Sequence, residues 1–553
     1  MKTSLRALSL CVLIAAAAFF SFRQNDRLFE IARNLDIYAT LFKELNSYYV
    51  DDINPNTLIK TSIDAMLRSL DPYTVYYAED DIEDYMTMTT GKYNGIGAVV
   101  HSNEGKHLVM MVYEETPAHK AGLRIGDQLL KIDEVDITKR TSDDPGKLLR
   151  GQTGTNVKLT IKRSGLKDPL MLNVTRDVVK VTNVPYFGMI SNDVGYIDLK
   201  DFTATASREV RNAFQDLKGK GMKKVIIDLR DNPGGLLDMA IEISNILIPK
   251  GEQIVSTKGK VTEWNKTYTA YNPALDTEIP VVILTNNRSA SAAEIVSGVI
   301  QDYDRGVLIG QRTYGKGLVQ TTRDLSYNTK MKVTIAKYYI PSGRCIQAID
   351  YSHRNEDGSI AKIPDSLMTA FKTKNGRTVY DGGGIKPDIE VEKETFSPLA
   401  LSLARNRLFF DYAIKYRSEK ATIKPAKEFK LSDADYQDFV AWLKDKEYDY
   451  TTQVEKDLSS LEASAKKEKS LDMIQEQVKA LRSKLSHSKD NDLKLYKSEI
   501  SAILQEEIVK HYYLERGMKE ASLTSDPEMK AALALFGDMN KYNELLKGKS
   551  SSK

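Results

Sequence analysis

The sequence predicts an α/β protein in several parts, with helical segments on either side of a strand-rich middle. Three observations carry this. Short continuous apolar runs, Val225-Ile226-Ile227 and Val281-Val282-Ile283-Leu284, alternate with amphipathic stretches in the way that buried strands alternate with helices. Residues 25–92 and 395–553 instead repeat apolar side chains at helical spacing. Between Tyr93 and Lys180 the chain reads as short strands punctuated by glycine. At 553 residues it is too long for one core and implies roughly three or four domains. The expected divisions are 1–22, 25–92, 93–180, 181–394 and 395–553.

Composition narrows the function. Hydrophobic residues at 41% and charged residues at 28% describe a soluble globular protein, and a formal net charge of +3 is small for this length. Nucleic acid is therefore not an expected partner. No Gly-x-x-x-x-Gly-Lys-Ser/Thr loop or dinucleotide fingerprint stands out, and no cofactor is expected. None of the six histidines sits in a spacing that suggests a metal site, so no metal is expected either.

At the N-terminus, Lys2 and Arg6 precede an alanine-rich apolar run from Leu8 to Phe22, which reads as an export signal. The run is short for a bilayer span, which needs about 20 residues. Ala18-Phe19-Phe20 is not a clean small-x-small cleavage site, so an uncleaved anchor stays open. The expected location is the periplasm, with attachment to the inner membrane as the alternative. Of the two cysteines, Cys11 lies inside this run; its removal leaves Cys345 without a disulfide partner.

Along the first helical segment, Ile37, Leu41 and Leu45 form one apolar stripe, and Leu58, Ile63, Met66, Leu67 and Leu70 form a second. Asp71-Pro72 breaks the second helix. Tyr93-Asn94-Gly95-Ile96-Gly97 then leads into the apolar strand Ala98-Val99-Val100. Downstream, Thr116 to Leu123 reads as a short helix with a glycine-ended turn, and Ile125 to Ile132 as a turn and strand. With its Ala-Gly-Leu-x-x-Gly-Asp-x-Leu signature, this stretch resembles a PDZ domain. Such domains add an extended chain end to a sheet edge. The turn Gly95, Ile96 and Gly97 would offer backbone N–H groups to a terminal carboxylate.

From residue 181 the strands become longer and more apolar. Gly195 to Leu199 and Val225 to Arg230 are strands, with a helix from Ala206 to Leu217 between them. Asp231-Asn232-Pro233-Gly234-Gly235 leads into a helix from Leu236 to Leu247. Val281 to Thr285 delivers the chain to Ser291 and the helix Ala292 to Val299. Val307 to Gly310 is a further strand. Met331 to Tyr339 alternates in a way suited to an antiparallel edge, and Gly382 to Asp388 closes the unit. Beyond Ser397 the periodicity is helical: Ser432 and Asp435 can cap a helix bearing Tyr436, Phe439, Val440 and Leu443, and further helical stretches run over 455–485 and 491–515. Lys547 to Lys553 reads as a frayed end.

The chemistry gathers around Ser291. Strand, turn, serine, helix exposes the hydroxyl and aims the free N–H of Ala292 at a developing oxyanion. A second donor would come from Gly234 or Gly235, where the absent side chain lets backbone approach substrate. Removing one such donor costs about 3–4 kcal/mol of transition-state stabilisation. Lys316, between Gly315 and Gly317, can serve as base once desolvation removes its proton, since its reference pKa is about 10.4. The Gln320 carbonyl can accept a hydrogen bond and aim the amine. Taken one at a time, Ser291 fits an ordinary N-cap and Lys316 an exposed turn lysine.

Taken together they resemble a known family. Asp228-Leu229-Arg230-Asp231-Asn232-Pro233-Gly234-Gly235, Ser289-Ala290-Ser291-Ala292-Ala293-Glu294 and Thr313-Tyr314-Gly315-Lys316-Gly317-Leu318-Val319-Gln320 are similar to motifs of the carboxy-terminal processing proteases. So are Pro341-Ser342-Gly343-Arg344 and Gly384-Ile385-Lys386-Pro387-Asp388, in the family's order and behind a PDZ domain. The resemblance covers roughly residues 30–392. It implies a crotonase-like α/β spiral core, with Ser291 as nucleophile, Lys316 as general base, Gln320 positioning the lysine, and Ala292 with Gly234 or Gly235 as oxyanion donors. It implies protein substrates with exposed C-terminal tails. Cys345 stands where a small polar residue is expected, and its thiol reads as packing. Arg150 resembles a position near the junction of PDZ domain and core, where it either senses bound peptide or forms a surface ion pair. For residues 395–553, a homo-oligomer contact and an adaptor site both stay open. Two other readings compete: a catalytically silent PDZ scaffold, and a crotonase-type thioester enzyme, against which the export signal counts.

Overall fold

The computed structural model describes residues 27–548, apart from 104, 140–144, 352, 354–358 and 486–488. The expected export signal and most of the frayed end lie outside the described residues. The chain divides into two compact units, one ending at Tyr76 and taking in Met331–Val333, the other holding the remainder.

The first unit contains helices α1 (residues 27–48) and α2 (Pro55–Arg68). Asn54 caps α2 by accepting from Thr57 N at 3.2 Å, and Pro55 occupies the first turn, where no N–H is needed. After the helix, Asp71 Oδ1 accepts from Tyr73 N and Thr74 N, each at 2.8 Å, so the predicted break is a hydrogen-bonded turn. The stripe Ile37, Leu41 and Leu45 stays exposed, as do Met66 and Leu70, while Leu67 is buried. Two helices alone offer too little surface to enclose both stripes.

The second unit opens with α3 (Ile82–Thr90) and the PDZ-like segment. Its elements are β1 (Lys92–Gly95), β2 (Ala98–Asn103), β3 (Lys106–Val112), α4 (Pro117–Lys120), β4 (Gln128–Ile132), α5 (Pro145–Leu149), β5 (Asn156–Lys162), β6 (Leu170–Thr175) and β7 (Asp177–Lys180). Strands β2 to β6 form an antiparallel sheet in chain order around Ile96, Val109, Leu129, Leu159 and Ile161. β1 and β7 pair antiparallel, Lys92 opposite Lys180, and so zip together the two ends of the segment.

The core continues with β8 (Tyr186–Met189), β9 (Val194–Asp198), α6 (Ala206–Gly219), β10 (Lys224–Asp228), α7 (Leu237–Ser244), β11 (Gln253–Gly259) and β12 (Lys266–Thr269). Then come β13 (Val281–Thr285), α8 (Ala292–Asp302), β14 (Val307–Gly310), β15 (Leu318–Asp324), β16 (Lys330–Tyr339) and β17 (Ile389–Glu390). One sheet has the order β8-β9-β10-β13-β14-β17, parallel throughout except for β8. Alternate side chains face opposite ways. Ile197, Val225, Ile227 and Ile283 pack with Phe214, Ile241, Ile295 and Val299 of α6, α7 and α8. Burial on both faces is why these strands read as unbroken apolar runs.

The helical domain comprises α9 (Pro398–Arg405), α10 (Leu408–Glu419), α11 (Asp433–Leu443), α12 (Gln453–Lys467), α13 (Leu471–Leu485), α14 (Lys489–Leu495), α15 (Lys497–Ser522), α16 (Pro527–Gly537) and α17 (Met539–Leu546). Tyr436, Phe439 and Leu443 pack against Phe409 and Tyr412, and Asp435 N donates to the Ser432 cap at 3.1 Å, as the sequence predicts. Met529, Ala532, Leu535, Phe536 and Tyr542 of α16 and α17 cover the other face of the core sheet, against Tyr196, Ile226, Val282 and Leu284.

One expectation needs correction. Met331–Tyr339 is not an edge: β16 pairs with β11 on one side and β15 on the other. Alternation reports a one-sided burial pattern and carries no information about how many partners flank a strand.

Candidate active site

β13 ends in a turn that is laced to the loop after β10. Ser289 Oγ donates to Leu229 O at 2.7 Å, Ala290 N to Asn232 O at 2.9 Å, and Asp231 N to Asn286 Oδ1 at 3.0 Å. Ser291 follows at φ 56°, ψ −114°, a conformation that side-chain-bearing residues rarely adopt, at the N-cap position of α8. Ser291 and Glu294 form a capping box at this helix start, so the serine also fits an ordinary capping position, and the unusual backbone is what sets it apart.

Gly234 lies directly against this serine. A Cβ at Gly234 would meet Ala292 N at 2.8 Å and Ser291 Cβ at 2.8 Å, and the residue holds φ +95°. Only glycine fits on both counts. Its own N–H, however, donates to Asn232 Oδ1 at 2.8 Å. The neighbouring parallel bridge runs from Phe202 N to Gly234 O and from Leu236 N to Phe202 O, which leaves the Gly235 N–H outside it. Of the two glycines the sequence offers, the geometry therefore favours Gly235 as a donor beside Ala292.

Glu294, to which the sequence assigns no role, organises the site. It is fully buried on α8. Oε2 accepts from Ser291 N and from Lys316 N, each at 2.8 Å, so those two nitrogens lie within twice that distance of each other. Oε1 accepts from Gly315 N at 2.7 Å and Thr313 Oγ1 at 2.5 Å. Burial pushes the carboxyl above its ordinary range, opposed by the hydrogen bonds from Thr313, Lys316, Gly315 and Ser291. A sequence signal existed: a Glu three residues after a serine N-cap is a capping-box pattern.

The loop carrying Lys316 is fixed on further sides. Gly317 N donates to Gln347 Oε1 at 2.7 Å, and Ala348 N to Gly315 O at 2.9 Å. Tyr338 joins the two halves: its N–H donates to Gly317 O at 2.9 Å and its hydroxyl to Ser291 O at 3.2 Å. Lys316 and Ser291 are both half-buried. Gln320, half-buried on β15, donates from Nε2 to Thr334 Oγ1 at 3.2 Å, which turns its Oε1 the other way as an acceptor. Cys345 is partly buried, and burial raises its thiol, consistent with a packing role.

The turn Gly95-Ile96-Gly97 is built into the PDZ-like core. Ile96 is 1% exposed; its carbonyl accepts from Ala118 N at 2.7 Å, and Gly97 O accepts from Tyr113 N at 3.0 Å. Gly97 sits at φ +85°, where a Cβ would come 2.3 Å from Thr116 Cβ. The Tyr93 ring lies over Gly95. Its phenol is pushed up to about 12 by burial and then by Tyr113, with Arg150 and the Gly97 N–H opposing. Arg150 stands 5.6 Å from that ring and pairs with Asp84 at 2.6 Å.

Comparison with known proteins agrees with this architecture. Residues 193–354 match peptidase family S41, 108–163 match a PDZ domain, and 399–536 match the C-terminal helical domain of probable PDZ-proteases. A carboxy-terminal-processing protease of Bartonella bacilliformis is 35% identical over 346 residues, covering 62% of this chain and 78% of that protein. Carboxy-terminal processing protease CtpA of Bacillus subtilis is 30% identical over 371 residues, covering 66% of this chain and 77% of its own. Among solved structures, a photosystem II D1 C-terminal processing protease aligns over 64% of this chain and 92% of its own, at 23% identity and a TM-score of 0.34. Fold and matches together define a serine-type peptidase with a PDZ domain and a C-terminal helical domain. The chain belongs to the carboxy-terminal processing proteases.

Proposed function

We propose that the chain cleaves protein substrates through a Ser291/Lys316 acyl-enzyme mechanism, with Gln320 positioning the lysine. The observation that carries this reading is the shared Glu294 Oε2, which ties the backbone of Ser291 to that of Lys316 across a buried carboxylate. Ser291 Oγ attacks the scissile carbonyl carbon while its proton passes to the neutral Lys316 amine. The carbonyl oxygen takes up negative charge beside the N–H groups of Ala292 and Gly235. The C–N bond then breaks, and Lys316 returns the proton to the departing amine. Water repeats the sequence on the acyl ester and frees Ser291.

Substrates are protein chains with exposed C-terminal tails, held by the Gly95-Ile96-Gly97 turn of the PDZ domain. The enzyme works outside the cytoplasm, in the periplasm or tethered to the inner membrane by its N-terminal run; the basic flank of Leu8–Phe22 supports this. The family match counts against both the silent scaffold and the thioester enzyme.

The test incubates purified protein with an unstructured polypeptide bearing a free C-terminus. Ser291→Ala and Lys316→Ala are each expected to reduce cleavage to background while the far-UV circular dichroism stays unchanged. Full activity in either variant overturns the Ser/Lys mechanism. Amidation of the substrate's C-terminus is expected to slow cleavage, and equal rates overturn the tail-recognition role.

A further inference from the structure

The parallel register of β9 and β10 sets Asp198 directly opposite Asp228 at the carboxyl ends of the two strands. Both side chains are buried, and two adjacent buried carboxylates demand cations. Three basic side chains supply them. Arg230 donates from Nε to Asp228 Oδ1 at 2.9 Å and from Nη2 to Oδ2 at 2.7 Å. Lys200 Nζ lies 3.1 Å from Asp198 Oδ1. Lys519 arrives from the helical domain, on α15, with Nζ 3.1 Å from Asp228 Oδ2 and 3.7 Å from Asp198 Oδ1. Among the described ion pairs it alone touches both carboxylates.

Asp228 is the last residue before the loop that carries Gly234 and Gly235. Arg230, two residues on, is held on its far side by the same domain: Nη2 reaches Asp526 at 2.6 Å and Nη1 reaches Glu528 at 3.1 Å. The root of the glycine loop is therefore clamped between the strand ends and the helical domain.

The other end of this contact is the PDZ domain. Leu514, at the kink that divides α15 upstream of Lys519, leaves helical geometry at φ 56°, ψ −158° and belongs with Phe410 to the buried apolar cluster of the PDZ domain. A leucine held in that backbone region is strained, and persists only where its surroundings over-determine it. Ile414 of α10 reinforces the seat: a Cβ on Gly126 would come 2.5 Å from its Cγ1.

We propose that the part of α15 that follows the Leu514 kink is a positioning strut for proteolysis, in which Lys519 fixes the oxyanion loop through Asp198 and Asp228 while Leu514 seats the PDZ domain at its start. This rests on the reading that the Gly234-Gly235 turn holds the oxyanion. It makes the helical domain part of the catalytic apparatus, acting through the root of the glycine loop.

The experiment compares kcat and KM of the full chain and its variants on one unstructured polypeptide. Lys519→Met is expected to lower kcat at least tenfold with KM within about twofold, and Lys519→Arg to recover most of that loss. Leu514→Ala, which keeps Lys519, is expected to lower kcat in the same sense, and the double variant to be no worse than Lys519→Met alone. Wild-type kcat in Lys519→Met, no recovery by arginine, or strictly additive losses overturn the strut. If Lys519→Met fails to fold, Leu514→Ala decides: unchanged kcat overturns the proposal, and a kcat loss at constant KM supports it. Activity lost in Ser291→Ala but kept in Lys519→Met sinks only this inference. Activity kept in Ser291→Ala but lost in Lys519→Met sinks only the Ser/Lys mechanism.

Discussion

Glu294 shows how one side chain sets the geometry of a site that it does not chemically serve. Four donors converge on it, two of them the backbone amides of Ser291 and Lys316. A carboxylate accepts all four; an amide cannot, because one end of it donates. Glu294→Gln is therefore expected to set an N–H against one pair of these donors and to lower kcat by at least about tenfold, with each lost charged hydrogen bond costing about 1.5–3 kcal/mol. Steady-state kinetics on the folded variant checks this, and wild-type turnover removes the role. The raised carboxyl also sets a pH sign. Protonation costs Glu294 acceptor capacity and begins at a higher pH than for an ordinary carboxyl. Activity should thus fall on acidification above the usual carboxylate range, and the glutamine variant should lack that limb. In the sequence, Glu294 was visible as a capping-box residue, and its tie to Lys316 was not. Lys519 was less visible still: one lysine among many on charged helices, given meaning only by the strand register that opposes Asp198 to Asp228.

At the scale of elements, β13 delivers the turn bearing Ser291 and α17 holds the strand in place. Tyr542 Oη accepts from Val281 N at 2.9 Å and donates to Val281 O at 3.1 Å, with the ring buried. Tyr542→Phe leaves both backbone groups of Val281 without this partner in a dry place, which should cost about 1–3 kcal/mol. Urea unfolding of the two proteins measures it, and coincident midpoints would refute the clamp. The strands around the site were legible because burial on both faces leaves an unmistakable apolar run in Val225–Ile227 and Val281–Leu284. β16 was misplaced as an edge for the complementary reason: partner number is a property of topology, which residue alternation does not encode.

For the whole molecule, the protease core does not end with its family motifs. One face of the central sheet is covered by α16 and α17, far along the chain from the strands they protect. A chain cut after Tyr496 would bare Tyr196, Ile226, Val282 and Leu284 as one contiguous apolar surface. Such a truncation is expected to be insoluble or to bind a hydrophobic dye strongly, and to be inactive; a soluble, active truncation would show the core to be self-sufficient. The helical periodicity of this region was legible, but no local pattern could say which sheet the helices would cover.

The distance in sequence between that covering and the reacting groups has a temporal meaning. Ribosomes make the turn bearing Ser291 long before the stretch from Pro527 to Leu546. On the proposed Ser291/Lys316 mechanism, a nascent chain would hold its nucleophile before the helices that cover the core sheet, and cleavage is expected only after translation has passed Leu546.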